Sequence, residues 1–307
     1  MKKTLLIGLL AASVSLVGCS KSTQPTASGT PTTASSPATT ATSTPKAAKT
    51  PTETESPQAS GGLPYEFPAH QPQLEKGQFA FVPMASSLEK LGKGGKKRVS
   101  DFRPREVVKV AEETTTIMDR QEFEAPNSLV VPIPREATAA NGDIVVGSPQ
   151  YGSWEVAIVT DASDPSKPIV HMFKPVYSGE PEGDKFLSQY ESGKFRVVKS
   201  DLDPGSHALY PDGDEKGYGL VIKSEADAVL LETFGGDLAV FQKDEVTPIP
   251  VKPGVKKGDK VQAPFAKGMD PATVTKVDEK IGRIWVTFDG RESQGEKCFC
   301  FGQILPG

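Results

Sequence analysis

Gly258-Asp259-Lys260-Val261-Gln262-Ala263-Pro264-Phe265 is followed by Ala272-Thr273-Val274-Thr275-Lys276-Val277 and by Arg283-Ile284-Trp285-Val286-Thr287-Phe288-Asp289-Gly290. Residues 297–301 and Ile304-Leu305-Pro306 close the segment. Apolar and polar residues alternate within each run, and Gly, Asp or Pro falls between runs. Successive side chains on a strand point to opposite faces, so this period of two predicts half-buried antiparallel strands joined by tight turns. In residues 284–288 the alternation places Ile284, Val286 and Phe288 on one face and Trp285 and Thr287 on the other. Phe288 is expected in a core, and Trp285 as an exposed platform.

The same order recurs upstream. Gly142-Asp143-Ile144-Val145-Val146-Gly147 precedes runs at 154–159, 169–173 and 195–198. A further set occupies 206–210, 218–222, 228–234, 238–241 and 246–250. The opening glycines Gly142, Gly205 and Gly258 lie 63 and 53 residues apart. A more divergent copy opens at Gly77-Gln78-Phe79-Ala80-Phe81-Val82-Pro83 and ends in Leu129-Val130-Val131-Pro132-Ile133-Pro134. The predicted fold class is therefore all-β, with three or four tandem small barrels after a linker. The units are expected at 75–136, 140–200, 203–251 and 256–307. Closing a sheet of four or five strands on itself removes the exposed edge that invites aggregation.

Gly-Asp-x-Val, then Trp-x-x-Ala-x-Val, then Ile-x-Val-x-Phe-Asp-Gly resembles the Tudor/Agenet branch of SH3-like barrels. The likeness is best over 142–173 and 258–290 and weak over 77–134. It implies an aromatic cage, since a ring face attracts a methylated cation. Tyr151, Trp154 and Phe173 are the candidates in one copy, and Phe265, Trp285 and Phe288 in another. An exported protein meets no histones, so a hydrophobic groove for a peptide is the stronger expectation. Its candidate aromatic surface is Tyr151, Trp154, Trp285 and Phe265.

Export is read from the first residues. Lys2-Lys3 precede an apolar run from Leu5 to Val17, which is shorter than the roughly 20 residues of a spanning helix. Leu16-Val17-Gly18-Cys19 resembles the lipobox of bacterial lipoproteins. The resemblance implies cleavage before Cys19, diacylglycerol on its thiol and acylation of its amine. Ser20 rather than Asp in the next position implies the outer membrane, facing the periplasm, in a host with two membranes. Two or three acyl chains hold durably, at roughly 0.8 kcal/mol per buried methylene. The Ser/Thr/Pro-rich stretch from Ser20 to Gly62 has almost no large apolar side chain. A disordered linker is expected over 20–74, because such a segment cannot offset its ordering entropy.

Other chemistry is sparse in the 307 residues. The net charge of −4 argues against nucleic acid, and three Cys with three His argue against a disulfide scaffold or a metal cluster. Cys298 and Cys300 share a strand face, at the upper distance limit for a bridge, and are read as buried small side chains or a strained disulfide. A catalytic thiol would need a base such as His171 or His207. Asp201, Asp203, Asp212 and Asp214 do not fit a calcium loop, and Asp212-Gly213-Asp214 reads as a hairpin turn. Lys93, Lys96, Lys97, Arg98, Arg103 and Arg105 make a basic patch suited to lipid phosphates or anionic polymers. No nucleophile elbow, phosphate loop or paired catalytic carboxylates appear, so neither an enzyme nor a cofactor is expected. The expectation is a lipid-anchored, non-catalytic module. Several weak sites on it would gain avidity for an envelope protein or peptidoglycan. The rivals are a cell-wall enzyme using a cysteine and a passive spacer.

Overall fold

The computed structural model describes Phe67 and residues 70–92, 101–149, 152–176 and 180–307. Cys19 with its lipobox, and the linker up to residue 66, lie outside the described residues.

The chain forms four small antiparallel sheets of five strands, each with the same order. The first contains β1 (Phe79–Pro83), β2 (Phe102–Val110), β3 (Thr114–Met118), β4 (Glu122–Pro126) and β5 (Val131–Pro132). The second contains β6 (Ile144–Gly147), β7 (Glu155–Asp161), β8 (Ile169–Met172), β9 (Leu187–Gln189) and β10 (Phe195–Val197). The third contains β11 (His207–Asp212), β12 (Glu215–Glu225), β13 (Ala228–Thr233), β14 (Leu238–Gln242) and β15 (Thr247–Ile249). The fourth contains β16 (Lys260–Phe265), β17 (Gly268–Asp278), β18 (Arg283–Phe288), β19 (Lys297–Cys300) and β20 (Leu305–Pro306). In every sheet four strands meander in sequence and the fifth returns to pair with the first. This is the strand order of a small SH3-like barrel, built four times.

The repeat is carried by one backbone clamp. Gly77, Gly142, Gly205 and Gly258 have φ of 80°, 83°, 98° and 94°. Their N–H groups donate to the carbonyls of Val107, Val159, Val221 and Val274 at 2.8, 2.8, 2.9 and 2.8 Å. The valine N–H donates back to the residue after each glycine, Gln78, Asp143, Ser206 or Asp259, at 2.8–3.0 Å. Directly after each valine the second strand slips register by one residue, at Val107/Lys109, Val159/Asp161, Val221/Lys223 and Val274/Lys276. A bulge there sharpens the twist and bends the long strand around its core. The glycine must adopt positive φ to enter the clamp, which residues with a Cβ do only under strain.

The first module diverges in sequence because it is interrupted. From glycine to clamping valine takes 16 or 17 residues in the last three modules but 30 in the first, from Gly77 to Val107. The extra chain carries α1 (Ala85–Gly92), whose Leu88 and Leu91, three apart, turn into the first core. The start of the body also departs from expectation, since a linker was expected through residue 74. Phe67 is buried in that core, Leu74 packs against it, and Lys223 Nζ of the third module lies 5.9 Å from the Phe67 ring. Phe67 anchors the end of the segment.

The modules meet as a ring, first to second to fourth to third and back to first. Trp154 of the second module packs between Phe81 and Phe102 of the first, at centroid distances of 5.4 and 5.1 Å. Lys223 of the third reaches the Asn127 carbonyl of the first at 2.9 Å. Ile222, Leu230 and Val240 of the third join the first module's core cluster. Lys267 of the fourth pairs with Asp212 and Glu215 of the third at 3.3 and 3.0 Å. The second and third modules touch at Gly205, where an added Cβ would lie 3.1 Å from Val146 and 3.2 Å from Val198.

Two glycines of equal backbone role therefore differ in what surrounds them. Gly258→Ala meets open space and strains only φ, costing about 1 kcal/mol. Gly205→Ala adds a clash at the module boundary and is expected to lower the melting temperature by at least twice as much. Thermal denaturation of both variants checks this; equal losses would show that the second–third contact is loose.

Candidate functional site

Where the second, third and fourth modules converge there is a cleft of about 320 Å³. Phe173 comes from the end of β8, Tyr218 from β12, Phe265 from β16, Phe288 from β18 and Phe299 from β19, with Arg283 at the base. Phe288 is buried in the fourth core and is the hub of the ring cluster. Phe265 lies 5.2 Å from it and Phe299 6.1 Å, both edge-on. Phe265, Phe299, Phe173 and Tyr218 stay partly buried, each keeping some exposed surface. Tyr218 continues the apolar surface to Phe234, 5.9 Å away, which is 54% exposed.

The fourth module supplies most of the cleft's lining. Ile284, Val286 and Phe288 fill the barrel interior, as the alternation predicts. Arg283 and Trp285 occupy the opposite face, beside Cys300 and Cys298 on the paired strand. That face is covered by the second module rather than by water. Arg283 has no exposed surface. Its Nη1 donates to Cys300 Sγ at 3.0 Å, and its Nη2 donates to the carbonyls of Met172 and Lys174 at 2.9 and 3.0 Å. The guanidinium carbon lies 5.8 Å from the Phe173 ring and 5.6 Å from that of Phe186. Nε finds no acceptor, and no carboxylate among the described residues lies within ion-pairing distance of Arg283.

The expected aromatic surface is thus partly redrawn. Phe173, Phe265 and Phe288, assigned to two separate cages, line a single cleft. Trp285 does not reach it as a platform: it is 4% exposed, with Lys276 Nζ 4.1 Å above its ring and bridged to Glu180 at 3.5 Å. Trp154 is 7% exposed and serves the contact with the first module. Alternation identifies the face of a strand; it does not say what covers that face. Tyr151 lies outside the described residues. Phe265 has one ring face occupied, since the Arg291 guanidinium sits 4.0 Å from its centroid and is held by Asp270 at 2.7 Å.

Tyr218, Phe299, Lys297, Gln303 and Arg283 were not singled out by sequence. Phe299, between the two cysteines, was the most readable of them. The others acquire meaning only when modules remote in sequence are packed together.

Cys298 and Cys300 are free thiols. Burial pushes Cys298 up to about 11 and Cys300 up to about 12, with Arg283 pulling weakly the other way. Neither is appreciably ionised at neutral pH. His171 is stacked on Phe186 with its Nε2 2.9 Å from the Pro181 carbonyl oxygen, and burial lowers its pKa. Burial takes His207 down to about 4. No hydrogen bond joins either imidazole to a thiol among the described residues.

Three of the four aspartates are taken up by contacts within the protein. Asp203 accepts from the Lys199 and Ser200 N–H groups, Asp201 accepts from that of Val251, and Asp212 pairs with Lys267. Asp212 and Glu215 flank a two-residue hairpin turn opened by Gly213 at φ 62°. Of the basic patch, Lys93, Lys96, Lys97 and Arg98 lie outside the described residues. Arg103 and Arg105 sit on β2, where Arg105 pairs with Asp119 at 3.1 Å. Their open cleft also contains Glu106, Asp119 and Glu191, so the charge there is mixed.

No protein-family model and no curated relative matches the sequence. Among solved structures, the four MBT repeats of Drosophila melanogaster Sfmbt, in complex with the peptide RHR(me)KVLR, match 81% of this chain and 93% of that one. The identity is 8% and the TM-score 0.16, values at which the two chains do not superpose as wholes. The fold stands on this chain's own strand order and hydrogen bonds.

Because Trp285 is buried, Trp285→Ala is expected to act on stability first, costing about 3–5 kcal/mol. Urea denaturation reads this directly. A variant with unchanged stability would mean that the ring is accessible to solvent after all.

Proposed function

We propose that the protein is a non-catalytic binding module whose inter-barrel aromatic cleft receives a peptide segment of a protein partner. The observation that carries this reading is the convergence of partly buried rings from three modules on one concave site. A concave apolar centre with a few placed polar groups is what ligand and peptide sites are made of. A methylated cation suits it poorly. Phe265 is already faced by Arg291, and the cleft's charged side chains are Arg283 and Lys297, with no carboxylate among its lining.

Several weak sites in a row, one per barrel, fit this architecture less well than one composite site. The faces bearing Trp154 and Trp285 are spent on contacts between modules. A cysteine enzyme is disfavoured because the two thiols are held protonated and lack a hydrogen-bonded base. The lipobox supports lipid anchoring at Cys19 and placement in a bacterial envelope, with the Ser/Thr/Pro-rich segment as the spacer. Peptidoglycan, the other partner class expected from sequence, enters as an alternative outcome of the binding test.

Selection of random peptides on the immobilised protein tests the site. Aromatic-containing sequences are expected to be enriched, and their affinity is expected to fall at least tenfold in Phe265→Ser while Met118→Ser, on the exposed first module, leaves it unchanged. Enriched peptides indifferent to Phe265, or binding to sacculi alone, would contradict the reading. For the anchor, Cys19→Ser is expected to abolish incorporation of labelled fatty acid and release the protein from membranes. Retained labelling would refute it.

A further inference from the structure

The polar groups around the aromatic cleft share one property: they offer protons and positive charge, and no carboxylate. Arg283 at its base is a wholly buried guanidinium whose partners are two carbonyls and a thiol, with Nε left unpaired. A buried cation without a counter-charge is costly, and its field is little screened inside the protein. At the rim, Lys297 is exposed and forms no ion pair among the described residues. Gln303 completes the set. Its Oε1 accepts the Cys300 N–H at 2.9 Å, which fixes the amide orientation and leaves only the Nε2 donors to offer.

Resting on the peptide-binding reading above, we infer that the cleft is selective for a peptide carboxylate next to an aromatic side chain. The ring enters between Phe173, Phe265 and Phe299, and the carboxylate meets Lys297 and Gln303 in the field of Arg283. The cavity of about 320 Å³ is at the small end of ligand sites, enough for one benzyl-sized group with its carboxylate but not for a large cofactor. The favoured occupant follows from charge complementarity: the ligand supplies the negative charge that Arg283 lacks. That carboxylate comes either from a chain terminus or from an Asp or Glu side chain.

Three fluorescently labelled probes distinguish these cases on the intact protein: Ala-Ala-Phe with a free carboxylate, the same peptide as its C-terminal amide, and Ala-Asp-Phe amide. The free acid is expected to bind at least tenfold more tightly than its amide, with Ala-Asp-Phe amide matching the acid only if a side-chain carboxylate serves. Lys297→Glu, on an exposed side chain that leaves folding intact, is expected to cut the preference for the acid below twofold. Phe265→Ser is expected to weaken all three. Equal affinity of all three probes, each weakened by Phe265→Ser, would overturn the carboxylate inference and leave the peptide cleft standing. Absence of binding by every probe, or binding indifferent to Phe265, would overturn both.

Discussion

Arg283 is the residue on which the upper levels of this architecture depend. A guanidinium out of contact with water must place its donors on fixed acceptors, and here most of those acceptors belong to another module. The requirement fixes the angle at which the fourth barrel meets the second. It also holds Phe173 beside the same site and keeps Cys300 covered. Tyr218 and Phe299 then line one cleft. An apolar residue of similar size would pack, but it would set no direction and carry no charge beneath the aromatic floor.

The four barrels themselves need less. Each is closed by a glycine at positive φ whose N–H and following carbonyl clamp a valine at the bulge of the second strand. This local motif folds one sheet around one core and says nothing about its neighbours. The contacts between modules use different chemistry at each boundary: stacked rings between first and second, a buried lysine between third and first, a surface ion-pair cluster between third and fourth. Four copies of one unit thus become an asymmetric ring. Asymmetry is what permits a single cleft rather than four equivalent grooves.

This division also explains what could be read from the chain. Alternation in residues 284–288 correctly separates Ile284, Val286 and Phe288 from Trp285, and the starting glycines mark all four modules. Burial of the outer faces was invisible, because the pattern of a strand records its two sides without recording what lies beyond. The run Val229-Leu230-Leu231 carried a hint, since three consecutive apolar residues imply burial on both faces. The same hint in Arg283-Ile284-Trp285-Val286 was masked by the charge of Arg283. In the first module α1 doubled the spacing between clamp residues and blurred the repeat. The cleft was the least legible feature, since Phe173 and Phe299 are more than a hundred residues apart and nothing local relates them.

Hydrogen exchange of the intact protein, with and without the Ala-Ala-Phe free acid, tests most directly whether the composite cleft is the binding site. New protection is expected over 173–176, 217–219, 264–266 and 297–303 together, three modules responding to one ligand. Protection confined to a single module, or centred on β1 and β2 of the first, would contradict it.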